Sequence, residues 1–221
     1  QQTPDRCCPI RSGRKQRSEI SQAEDVEHGV HAVRSPRNPS GSQRRAPGKV
    51  GAYVDGARAG LAHNAFGPPT TPPGGAPNIA YGAGWWELGP DEALVISHER
   101  PDADYWGWTI HHRHRMDSGD FAGRATSRNA SQLHVATDDR VHLVLAAADP
   151  GVANWIDTEG RPEGLLVYRY VGTRTRPVPE GRVVPIAEVA AALPAEYPTV
   201  GPDQRRDELA ARRAAVLGRY A

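Results

Sequence analysis

From residue 85 to residue 172 the chain sets short apolar runs between turn-forming clusters. "GWWEL" and "EALVISHE" are separated by Gly89-Pro90-Asp91, and "DADYWGWTIHH" follows. β-Branched and aromatic runs punctuated in this way predict strands joined by turns. In the third run a period of two places Trp106, Trp108 and Ile110 on one face. "SQLHVATDDRVHLVLAAAD" predicts a hairpin turning at Asp138-Asp139, and "EGLLVYRYVG" a further strand. Short strands at this spacing favour a mainly β fold, an antiparallel sandwich or barrel, over a βαβ arrangement, and an antiparallel β-sandwich of jelly-roll-like kind is the expectation.

The flanks follow other patterns. Residues 1–62 are polar, Arg-rich and Ser-rich, with Pro36, Pro39 and Pro47, and only Ile20, Val26, Val30 and Val33 hint at a weak helix. That composition predicts a disordered tail. Residues 63–84, "HNAFGPPTTPPGGAPNIAYGAG", predict an extended arm, because proline removes donors and glycine loosens the chain. A β core over 85–184 comes next, then C-terminal helices over 185–221. In "PIAEVAAALP" the residues Ile186, Val189, Ala190 and Leu193 recur at helical spacing behind Pro185. "GPDQRRDELAARRAAVLGRY" opens with Pro202 and Asp203 and carries Arg212, Arg213 and Arg219 late, as a helix dipole favours. Its thin apolar edge, Leu209, Val216, Leu217 and Tyr220, suits packing on the sheet or on a second copy in a homo-oligomer.

Charge and cysteine content narrow the function classes. Ten of the 27 basic residues and five of the 26 acidic ones fall in the first 50 positions, so the tail is net +5 and the remainder net −4. The body therefore has no electrostatic reason to seek nucleic acid. Cys7 and Cys8 are adjacent, lie in the tail and offer neither CxxC spacing nor a disulfide framework. No apolar run approaches the ~20 residues that span a bilayer, and no signal-peptide core opens the chain. The expectation is a cytoplasmic protein without a membrane span or a cofactor. The chain starts "QQTPDRCCPI" without Met, which reads as a fragment or a processed product.

"YGAGWWELGPDEALVISHERPDADYWGWTI", followed by "MDSGDF", "RNASQLHV" and "AAADPGVANWIDTEGRPEGLLVYRY", resembles actinobacterial-type members of the domain of unknown function 1214 family. The resemblance spans roughly residues 64–182, with "GPDEALVI" and "DPGVANWIDTEG" its most specific parts. It implies a β-sandwich-like C-terminal module that follows a further N-terminal region in longer relatives. It implies no reaction. The chain departs from the family pattern after the third strand, where His111, His112, His114 and Arg115 stand in place of aromatic residues and an Asn.

Two places carry candidate chemistry. In "WTIHHRHRMD" the alternation continues the Trp106/Trp108/Ile110 face into His112 and His114, an H-x-H pair. With Asp117 or Asp120 and a third imidazole, His142, such a pair could chelate a metal as in cupin-like barrels. The blander alternative, which is favoured, is that the strand end has reached water. A two-residue turn at Asp138-Asp139 would pair Val135 with His142 and send His134 and His142 to opposite faces.

The second place is "DPGVANWIDTEGR". Asn154, Trp155 and Asp157 could cover a pocket mouth, or the loop could simply be pinned by a buried Trp. Trp106 and Trp108 allow either a core or an aromatic platform for a sugar or another small ligand. Glu87, Asp91, Glu92, Asp117 and Asp120 supply carboxylates for a paired-acid mechanism whose spacing the sequence leaves open. No G-x-S-x-G elbow or phosphate-binding loop is present. The balance favours a non-enzymatic module that binds a small ligand or a protein partner, with a metal-dependent enzyme and a carbohydrate-binding module as alternatives.

Overall fold

A computed structural model of the chain describes residues 49–113 and 116–219. Eight strands form two four-stranded sheets. In chain order they are β1 (Ile79–Glu87), β2 (Glu92–Glu99), β3 (Tyr105–His111), β4 (Ser127–Asn129), β5 (Arg140–Ala146), β6 (Trp155–Asp157), β7 (Glu163–Val171) and β8 (Glu180–Pro185). The first sheet runs β1-β7-β3-β4 and the second β6-β5-β2-β8. Their ladders are antiparallel except β5–β6, which is parallel, so the second sheet is mixed. The fold is mainly β with a C-terminal helix.

One apolar cluster draws on both sheets. Trp86, Trp106, Trp108, Ile110, Leu166, Tyr168 and Tyr170 come from the first, and Leu94, Ile96, Leu143, Leu145 and Ile156 from the second. The period-two face of "YWGWTI" is thus a core face. "ALVI" and "LVLAAA" read as unbroken apolar runs for a second reason, since Ala93, Val95, Val144 and Ala146 face the opposite way and are also buried. A strand covered on both sides loses its polar alternation. The cover comes from Val189, Leu193 and Tyr197 in the segment after β8.

The structure begins inside the stretch expected to be a tail. Residues 1–48, with Cys7 and Cys8, lie outside the described residues, whereas Lys49–Gly60 form helix α1. Its Val54, 1% exposed, packs on Trp85 and Leu165 against the outer side of the first sheet. The arm at 63–72 then runs beside β1. Thr70 and Tyr81 exchange both backbone hydrogen bonds at 2.8 Å. The Asn64 amide bonds the carbonyl and the N–H of Glu87.

The apolar stripe of "PIAEVAAALP" does not make an α-helix. It forms two 3-10 turns, Ile186–Glu188 and Ala190–Ala192, which still bury Val189 and Leu193. Pro194 ends the segment, because the residue before proline is pushed from the α region, and Leu193 sits at φ −105°, ψ 162°. Helix α2, Pro202–Leu217, starts with proline at its first position and Asp203 in its first turn, as the sequence suggests. Among the described residues no helix is long and apolar enough to cross a membrane.

The hairpin register differs from expectation by one residue. Ala136 N–H bonds the Arg140 carbonyl at 2.8 Å, and Val135 bridges to Val141, so the loop holds three residues, Thr137 to Asp139. Asp139 takes the left-handed conformation, φ 61°, that a three-residue loop requires at its last position. His134 therefore falls opposite His142 on one side of the sheet. The first arm is only a bridge, because Ala130–Gln132 coil into a 3-10 turn.

Candidate functional site

Beyond β3 the backbone closes a tight turn, with His112 N–H bonded to the Asp117 carbonyl and Met116 N–H to the His112 carbonyl. The turn draws His112 inward to 5% exposure. Its Nδ1 lies 2.5 Å from Asp117 Oδ1 and its Nε2 2.7 Å from Glu159 Oε2. The favoured expectation of water at this strand end is thus replaced by two carboxylates. The Nε2 contact is short but is not aligned as a hydrogen bond. Glu159 Oε1 accepts from Asp120 N–H at 2.8 Å, which ties the β3–β4 connection to the turn after β6. Glu159 (φ 58°) and Gly160 (φ 72°) form that turn, closed by Arg161 N–H on the Thr158 carbonyl. His114 and Arg115 lie outside the described residues.

The other residues proposed for a metal are placed elsewhere. His142 stands on the outer side of the second sheet, its ring 5.8 Å from that of Tyr197. His134 meets the same ring at 5.3 Å. Both ring nitrogens of His112 face carboxylates, and among the described residues no three His, Cys, Asp or Glu side chains are arranged to hold a metal ion. Asp120 spends its carboxylate on Gly123 N–H.

The "DPGVANWIDTEGR" loop is packed inward. Asn154, Trp155 and Asp157 are 4%, 6% and 3% exposed. Trp155 donates through Nε1 to the Ala146 carbonyl and lies under the Arg205 guanidinium at 5.2 Å. Asp157 takes a two-pronged bond from Arg124 at 2.8 and 3.1 Å. Asn154 holds the carbonyls of His134 and His142 together. Trp106 and Trp108, at 4% and 1%, belong to the core. Between them sits His98, which burial pushes down to about 4 and which is therefore neutral at physiological pH.

An open groove lies on the opposite side of β3. Alternation turns Tyr105 and Thr109 outward, away from the tryptophan core. Helix α2 runs beside that surface and leaves a groove of about 430 Å³. Arg128, Arg169, Arg212 and Arg219 border it, with Tyr105 and Phe121, and among the described residues no Asp or Glu lines it. Gly107 lets the Tyr105 ring lie across β3, since a Cβ there would come within 3.2 Å of Tyr105 Oη and 2.9 Å of the Arg128 carbonyl. Arg169 stacks on the same ring, 5.3 Å from its centre.

Arginine side chains also fix the helix wall. Arg205 grips Asp149 at 2.9 and 3.2 Å and the Val152 carbonyl at 2.7 Å. Arg128 donates to the Trp155 carbonyl at 3.0 Å and pairs with Glu208. Burial alone would raise the Glu208 carboxyl, but Arg128 and Arg205 more than offset it and lower its pKa. Arg212 bonds only neutral oxygens, the Phe121 and Ser127 carbonyls and Ser127 Oγ. Burial, then the charge of Arg128, disfavours its cation.

A solved structure of an uncharacterised protein from Burkholderia cenocepacia is similar to this chain. The two are 33% identical over 65% of the chain, with a TM-score of 0.56. The chain spans 39% of the length of that protein. A Vibrio parahaemolyticus protein is 17% identical over 48% of the chain and 31% of its own, with a TM-score of 0.38. No protein-family profile and no curated protein matches the chain.

The groove residues escaped the sequence reading because they are scattered, from Tyr105 on β3 to Arg219 beyond α2. One local signal was available. Tyr105, Gly107 and Thr109 form the complementary face of the same alternation that singled out the tryptophans. The arginines carried no such pattern, since 25 of the 27 basic residues are Arg.

Proposed function

We propose that the chain is a ligand-binding accessory module, a β-sandwich of jelly-roll-like build related to the domain of unknown function 1214 family. It holds a small molecule in the groove between β3 and α2 and does not transform it. The observation that carries this reading is the groove itself. Its volume of about 430 Å³ falls in the range of small-molecule sites, and it combines exposed aromatic side chains with a few convergent polar ones. The side chains that would serve catalysis or metal binding are instead committed to one another, His112 to Asp117 and Glu159, and Asp157 to Arg124.

Ala215 is an exposed α2 residue on the groove wall, so Ala215→Trp fills the space without entering the core. A metabolite library screened by ligand-observed NMR is expected to give ligands for the wild-type chain that the Trp variant loses. Ligands retained unchanged by the variant would place binding elsewhere and overturn the reading.

A further inference from the structure

We propose that the groove selects a small organic anion, a carboxylate or phosphate monoester on a flat apolar body. The inference rests on the reading of the groove as a ligand site and adds the ligand class.

The charge arrangement carries it. Four guanidinium groups border the groove and, among the described residues, no carboxylate lines it, although the sequence from residue 51 onward is net negative. Glu208 lies just outside, in an adjoining hollow it shares with Arg128 and Arg212, and its carboxylate is hydrogen-bonded by Arg128 and Arg205, so it reaches Arg212 only through space. Among the described residues Arg169 and Arg212 have no carboxylate partner. Arg212 is half-buried with only neutral acceptors, and Arg128, 5% exposed, has an Nη2 without any acceptor. A buried cation is stable when paired or fully hydrogen-bonded. An anion lodged between Arg128 and Arg212 supplies the missing charge and acceptors, and the planar guanidinium suits the two-oxygen edge of a carboxylate or phosphate.

The uncharged part of the site describes the rest of the ligand. Tyr105 is 37% and Phe121 45% exposed, which leaves aromatic surface at the groove for a ring or chain to cover. Ser127, Asn129 and Gln132 add neutral hydrogen-bonding groups. The limited volume and the negative charge of the surrounding body argue for a small anion over a polyanionic strand.

Calorimetric titration of the full chain with phenyl phosphate and benzoate, against their neutral counterparts phenol and benzamide and against inorganic phosphate, tests the assignment. The anions with a ring are expected to bind at least about 10-fold tighter than the neutral compounds, and to weaken as salt rises. Arg212→Gln is expected to lose about 10-fold. Arg169→Gln changes an exposed residue without a carboxylate partner among the described residues and is expected to lose a few-fold. Equal affinity for benzamide and benzoate would overturn the anion assignment while leaving the groove reading intact. No binding of either anion at millimolar concentration would likewise overturn the assignment. Anion binding that survives both Ala215→Trp and Arg169→Gln would show that the site is elsewhere, and both readings would fall.

Discussion

Asn154 and Tyr197 share a 2.7 Å hydrogen bond from Nδ2 to Oη, and the Tyr197 hydroxyl in turn donates to the His142 carbonyl at 2.7 Å. With the bonds from Asn154 to the two His134 backbone groups, this joins the loop before β5, β5 itself and the segment after β8. Asn154 is also left-handed, at φ 56°. Asn154→Ala is expected to cost about 3 kcal/mol, because several buried backbone groups lose their partner. Asn154→Gly should cost roughly 1 kcal/mol less than Ala, as glycine accepts the backbone conformation. Urea unfolding of the two variants measures both, and a cost below ~1 kcal/mol for Ala would show that the groups find other partners.

Acid should destabilise the protein through His98. Its folded pKa of about 4 lies below the ordinary value of 6.5, so the unfolded chain binds the proton more readily. The stability this neutral imidazole confers is complete above pH 6.5 and is lost as pH falls toward 4. A shift of that size corresponds to about 3 kcal/mol. His142, lowered chiefly by burial, acts in the same direction. Unfolding free energies measured between pH 4.5 and 7 are expected to rise with pH, and His98→Leu should flatten the slope. An unchanged slope in the variant would assign the acid sensitivity to other groups.

Arg205 fastens α2. Its side chain is 6% exposed and bonds Asp149, Glu208 and the Val152 carbonyl while covering Trp155. Arg205→Met is expected to cost about 2 kcal/mol, a figure reduced from that of a fully buried pair because Asp149 is 30% exposed. Lysine should restore little, since it lacks the fork that spans both Asp149 oxygens. Limited proteolysis within 202–217 should accelerate in step with the loss of stability. Cleavage at the wild-type rate would show that other contacts hold the helix.

The strands of the core were legible because alternation and turn residues are local signals. "YWGWTI" gave its buried face directly, and Gly89-Pro90-Asp91 marked the first turn. Two local details reversed their consequences. Asp139 in a left-handed conformation lengthens the turn by one residue and brings His134 beside His142. The stripe after β8 coils into 3-10 turns and is ended at Leu193 by Pro194. The partners of His112 were half-visible, since Asp117 is near in sequence, whereas Glu159 arrives from a turn 47 positions away. The groove depends on α2 lying along β3, a tertiary fact that no window of sequence contains.

The arm at 63–72 has a bearing on solubility. β1 borders the first sheet, and the outward N–H and carbonyl groups of Tyr81 and Glu87, with the Trp85 carbonyl, are taken up by Thr70 and Asn64. An uncovered border strand offers a row of donors and acceptors to any passing chain and invites self-association. The proline- and glycine-rich stretch thus works as a selvage, the finished edge that keeps a woven sheet from taking on further threads. Shortening the chain past residue 63 would remove it and leave the protein with a sticky side.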